Sequence, residues 1–137
     1  MKGEAEPGAV FSKPMSKKIL LIDDEQDFLN LMSKLIGSWG YEVATASNGK
    51  EALASLRSEQ PDVLIIDYLM PDISGVELLR KIRQGGNRVP AIIFTANPTI
   101  KAMEESRELN ISAFIPKLSS HVDTQEDLKM ALDLLSR

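Results

Sequence analysis

Ile19-Leu20-Leu21-Ile22-Asp23-Asp24-Glu25 opens the regular part of the chain. Four apolar residues in a row form a strand with no polar face. Such a strand belongs in a sheet covered by helices on both sides, which is the usual setting of parallel strands. Val63-Leu64-Ile65-Ile66-Asp67 repeats the pattern and also ends on an acid. Working outward, five short β-rich runs alternate with longer helical patterns: 19–22, 42–46, 63–67, 91–95 and 113–116. Strand-helix alternation of this kind predicts an α/β sandwich of five βα units around one parallel sheet. The second strand alternates in polarity and the fifth contains Pro116, which has no N–H to donate, so both are expected at the sheet edges.

In the first helix Phe28, Leu31, Met32, Leu35 and Trp39 recur at helical spacing before Gly40, and that face is expected to be core. Weaker patterns cover 52–56, 76–82 and 128–135, with Asp123 or Thr124 available to cap the last helix. Asn97-Pro98 reads as a cap followed by proline at the first helical position, opening a fourth helix that closes near Asn110. Its apolar set, Ile100, Ala102, Met103 and Leu109, is thin, which predicts the least firmly docked helix of the five.

A chain of 137 residues suits one domain with a single core and is short for a second, separate output domain. Residues 1–16 mix glycine, proline and charge without periodicity and are expected to be a mobile tail, leaving 17–137 as the folded domain. No apolar run approaches the roughly 18 residues of a membrane span, and the N-terminus has no signal-peptide core, so a cytoplasmic location is expected and no membrane partner. The absence of cysteine excludes thiol catalysis and cysteine-based zinc sites. A net charge of -4 argues against direct nucleic-acid binding, which depends on Lys and Arg, and favours protein partners. His121 is the single histidine, expected as an exposed loop residue.

Ligands of open parallel sheets gather beyond the carboxyl ends of the strands. The strands deliver Asp23, Asp24 and Glu25, then Asp67, Thr95 and Lys117 to that edge. Three close carboxylates repel one another unless a cation neutralises them, and Mg²⁺ favours such oxygen donors. A lysine and a hydroxyl beside them complete a set suited to phosphoryl transfer. Each residue taken alone has a plainer reading, as a helix cap, a solvated strand end or a surface lysine; their convergence carries the argument.

The stretch Ile19 to Glu25, the loop Asp67-Tyr68-Leu69-Met70-Pro71-Asp72-Ile73-Ser74-Gly75, the run Phe94-Thr95-Ala96 and the run Ala113-Phe114-Ile115-Pro116-Lys117 together resemble response-regulator receiver domains of two-component signalling. The resemblance covers about residues 18–137. It implies the flavodoxin-like strand order 2-1-3-4-5. It also implies that Asp67 is the phosphoacceptor, attacking the phosphorus of a partner's phosphohistidine. Asp24 would then ligate Mg²⁺ directly and Asp23 through water, with Asp67 and the Leu69 backbone carbonyl completing the metal set. Lys117 and Thr95 would contact the phosphoryl group, and Thr95 and Phe114 would form the switch, Phe114 rotating inward. The implied partners are a sensor histidine kinase or histidine phosphotransfer protein and a downstream protein target, with a homodimer formed through the fourth helix, fifth strand and fifth helix. Such a domain is a signalling module that catalyses only its own phosphorylation and dephosphorylation.

Two positions depart from the family pattern. Leu118 replaces a proline that usually follows the lysine in a cis bond, and cis before leucine costs about 3–4 kcal/mol, so a trans bond is expected. Ser74 replaces a common aspartate and is expected to cap the next helix. Two other readings are a pseudo-receiver that binds partners without phosphate, opposed by the intact site set, and a phosphohydrolase, which would need an acid where Leu69 stands.

Overall fold

The computed structural model describes residues 17–117 and 121–136; the expectations for residues 1–16, for Leu118 and for the side chains of Asp123 and His121 fall outside what it describes. The strands are β1 (Lys18–Ile22), β2 (Glu42–Ala46), β3 (Val63–Asp67), β4 (Ala91–Thr95) and β5 (Ala113–Pro116). They alternate with α1 (Gln26–Ser38), α2 (Gly49–Glu59), α3 (Gly75–Gln84), α4 (Ile100–Arg107) and α5 (His121–Leu135). All pairings are parallel and the order is β2-β1-β3-β4-β5, with β2 and β5 at the edges as expected.

Because side chains alternate across a strand, each apolar run feeds two layers. Ile19, Leu21, Val63, Ile65, Ile92 and Phe94 pack against Leu29, Met32 and Ile36 of α1 and Leu128 and Leu132 of α5. Leu20, Ile22, Leu64, Ile66 and Ile93 pack against Ala52 of α2 and Leu78, Leu79 and Ile82 of α3. β1, β3 and β4 are therefore buried from end to end apart from Lys18.

Several local expectations are corrected. The buried centre of α1 is Leu29, Met32 and Ile36, while Phe28, Leu35 and Trp39 lie half-buried at its margin and Leu31 is 60% exposed. At about 100° per residue Leu31 lies roughly 200° round from Leu29, so with Leu29 turned to the sheet Leu31 is turned to solvent. The fourth helix does not start at Asn97-Pro98. Thr99 is its cap: its own backbone is extended and its hydroxyl accepts the Ala102 N–H at 3.0 Å, while the Asn97 N–H donates to Thr95 Oγ1 at 3.1 Å in the bend before it. This helix buries only Ala102 and Ser106, leaving Ile100 and Met103 exposed, in keeping with its thin apolar set. Thr124 lies inside α5 rather than at its cap, with its hydroxyl donating to the Pro116 carbonyl at 3.3 Å, and His121 is the first residue of that helix rather than part of a loop. Ser74 caps α3 as expected, accepting the Glu77 N–H at 3.1 Å.

Candidate functional site

Register brings the chemistry together. Ile22 pairs with Ile66, so Asp23 and Asp67 follow at neighbouring strand ends, and Asp67 pairs with Phe94, which places Thr95 one residue farther along. Thr95 pairs with Pro116, and Lys117 follows. One carboxylate oxygen from each of Asp23, Asp24 and Asp67 lies within 4.8 Å of the other two. Asp23 and Asp67 are buried and Asp24, on the bend after β1, is exposed, which leaves the group open to solvent on one side.

Lys117 Nζ donates to Asp23 Oδ2 at 2.5 Å and stands 3.6 Å from Asp67 Oδ1. Asp23 is further held by the Glu25 N–H, which donates to its Oδ1 at 2.9 Å. Burial pushes the Asp67 carboxyl up to about 7, and the Asp23 carboxylate adds to the rise; the Lys117 charge and the Leu69 N–H oppose it, and Asp24 raises it slightly further. A buried carboxylate that favours a proton this strongly has an unmet demand for positive charge. A hard divalent cation such as Mg²⁺ fits that demand and the all-oxygen donor set.

The loop after Asp67 is held at several points. Gly75 N–H donates to the Tyr68 carbonyl at 2.8 Å, and the Gly49 N–H lies 3.1 and 3.0 Å from the two Asp72 carboxylate oxygens, tying the loop to the start of α2. The Tyr68 hydroxyl donates to Glu105 on α4 at 2.9 Å. Leu69, whose backbone N–H reaches the Asp67 carboxylate, has a side chain 57% exposed, whereas Thr95 is buried. Phe114 is half-buried on the other side of β5, against the second core layer and close to Met103 and Arg107. The structure thus gathers Asp23, Asp24, Asp67 and Lys117 at one edge, with Thr95 next in register and the Leu69 backbone beside Asp67, and sets Phe114 apart. The Lys117–Asp23 contact, the Asp72 tie and the Tyr68–Glu105 bond were not legible in the sequence, since each joins residues from separate elements with no fixed spacing.

Residues 19–129 match the family model of the response regulator receiver domain. The chain belongs to this family. A receiver domain is a phosphoryl-accepting signalling domain of two-component response regulators. Among curated proteins, this receiver domain is 38% identical over 82 residues to the alkaline phosphatase synthesis transcriptional regulatory protein PhoP of Bacillus subtilis, covering 60% of this chain and 34% of that protein. It is 29% identical to sporulation initiation phosphotransferase F of Bacillus subtilis, covering 89% of this chain and 98% of that one. Among solved structures, response regulator TrrA from Thermotoga maritima, in complex with Mg²⁺ and BeF, aligns with a TM-score of 0.72 at 31% identity, covering 84% of this chain and 98% of that one. The chain spans about a third to a half of the length of the first curated relatives it matches. No helix among the described residues is long and apolar enough to cross a membrane.

Proposed function

We propose that this receiver domain, comprising residues 17–137, accepts a phosphoryl group on Asp67 from a histidine kinase or histidine phosphotransfer protein, and that the modification switches a protein-binding face. The observation that carries this reading is a buried Asp67 carboxylate grouped with Asp23 and Asp24 and faced by the Lys117 ammonium. Asp23, Asp24, Asp67 and the Leu69 backbone carbonyl would hold Mg²⁺. When bound, Mg²⁺ neutralises carboxylate charge and stabilises charge on the phosphoryl oxygens. An Asp67 oxygen attacks phosphorus as the bond to the donor nitrogen breaks, forming the aspartyl phosphate. Lys117 binds a phosphoryl oxygen, and the Thr95 hydroxyl, which now accepts the Asn97 N–H, donates to another. Phe114, half-buried in β5, turns inward and alters the surface around α4, β5 and α5. That surface already exposes Ile100, Met103, Met130 and Leu134, a suitable face for a downstream protein or a second copy of the chain. Leucine at position 69 leaves no carboxyl two residues after the phosphoacceptor, which favours self-modification over turnover of a separate substrate.

Incubation with a small phosphodonor and Mg²⁺, followed by intact mass, tests the reading. One added phosphoryl group, absent from Asp67→Asn, is expected; an unmodified wild type refutes it. Asp24→Ala should weaken Mg²⁺ binding by at least about tenfold in titration, since it removes a ligand and a charge from the cluster. Unchanged affinity would remove Asp24 from the metal site. Leu69 offers no hydrogen-bond group to orient an attacking water, so Leu69→Asn should speed loss of the phosphoryl group by about tenfold, equivalent to one oriented bond of about 1.4 kcal/mol. Equal decay in the two proteins would show that Leu69 does not limit hydrolysis.

A further inference from the structure

The Lys117 ammonium carries three N–H donors. Asp23 Oδ2 takes one at 2.5 Å, and Asp67 Oδ1, at 3.6 Å, lies just outside hydrogen-bond range. On another side the ammonium meets aromatic rings rather than an oxygen. Nζ stands 4.1 Å from the centroid of Phe28 and 5.8 Å from that of Phe94. The two rings are 5.6 Å apart and inclined by 36°, forming an apolar seat with a negative face turned towards the charge. Phe28 comes from α1 and Phe94 from β4, so the seat is built from two elements that enclose the lysine.

We propose that Phe28 is a positioning residue for phosphoryl transfer, its ring face holding the Lys117 ammonium beside Asp23 and within a short movement of Asp67. The inference rests on Asp67 being the phosphoacceptor. An aliphatic side chain of similar size at position 28 would fill the same half-buried margin of the core but offer the ammonium no quadrupole. The long, flexible lysine stem would then spend more of its time turned towards water, and part of its readiness to stabilise charge on the transferring group would be lost. Phe94 lies farther from Nζ and cannot make up the whole contact.

Because Phe28 also packs, the decisive experiment keeps its shape and weakens its face. Mono-, di- and trifluorinated phenylalanine placed at position 28 should slow phosphoryl uptake from acetyl phosphate in Mg²⁺ stepwise, by about fivefold to tenfold at the end of the series, with little change in melting temperature. Phe28→Leu should be slowed about as much, and Phe28→Tyr should stay near wild type. Equal rates across the fluorinated series overturn the proposal. A wild type that takes up no phosphoryl group counts against the phosphoacceptor reading instead, and the seat is then read in the unmodified protein by NMR. The Lys117 ε-methylene protons should be shifted upfield by the ring and return to ordinary lysine values in Phe28→Leu; ordinary values in the wild type overturn the proposal.

Discussion

Asp67→Asn should make the metal-free protein more stable near neutral pH, by about 2 kcal/mol, with the gain fading as the pH is lowered towards about 4. The folded protein raises this carboxyl from 3.8 to about 7, chiefly by burying it and by setting it beside Asp23. A group whose folded pKa is raised contributes stability that is fully present below its unfolded value and is lost as pH rises through its folded value. The wild type is therefore least favoured above about 7, where Asp67 carries an unneutralised buried charge; asparagine, similar in shape, carries none. Converted directly, a rise of this size is about 4 kcal/mol, and local relaxation and partial hydration reduce it to roughly half. Urea unfolding in a chelator at several pH values checks this. A gain that does not vary with pH would mean that Asp67 is not held above its ordinary range. Mg²⁺ should reverse the ranking, stabilising the wild type more than Asp67→Asn, since the ion removes the repulsion that the substitution removes by other means.

The second large effect is expected at Gly75, the first residue of α3. A Cβ there would lie 2.3 Å from the Asp67 carbonyl oxygen and 3.1 Å from its carbonyl carbon. Those are backbone atoms of a central strand, buried on both faces, and they have little room to move. Gly75→Ala should cost at least about 3 kcal/mol, above the usual range for a point substitution, and should displace Asp67 from Asp23 and Lys117. The expected result is a fall in melting temperature together with weaker Mg²⁺ binding. Gly37→Ala supplies the control: a Cβ there meets nothing within 4 Å, and alanine in α1 should stabilise by about 0.5–1 kcal/mol. Near-native stability in Gly75→Ala would show that the loop tolerates movement at the site.

The architecture was legible in the chain because it depends on local patterns. Unbroken apolar runs at Ile19–Ile22 and Val63–Ile66 can only be satisfied between two helical layers, and β2 and β5 announce themselves as edges by polarity and by Pro116. The positions of Asp23, Asp67, Thr95 and Lys117 followed from the same reading, since a residue that ends a parallel strand lies at the carboxyl edge whatever the details of packing. Helix details were less secure. The apolar spacing in α1 pointed to the face of Phe28, Leu31, Met32, Leu35 and Trp39, and the sheet beneath buries Leu29, Met32 and Ile36 and leaves Leu31 exposed. Asn97-Pro98 carries a cap pattern, but the hydroxyl that accepts the Ala102 N–H belongs to Thr99, and α4 starts there. What the tertiary structure alone decided is the partnering inside the site. Lys117 meets Asp23, 94 residues away, more closely than it meets Asp67, and it rests on Phe28, a residue whose spacing marked it only as core. Sequence spacing records which edge or face a residue occupies; which charge it neutralises there depends on distances across separate elements, and those exist only once the layers have packed.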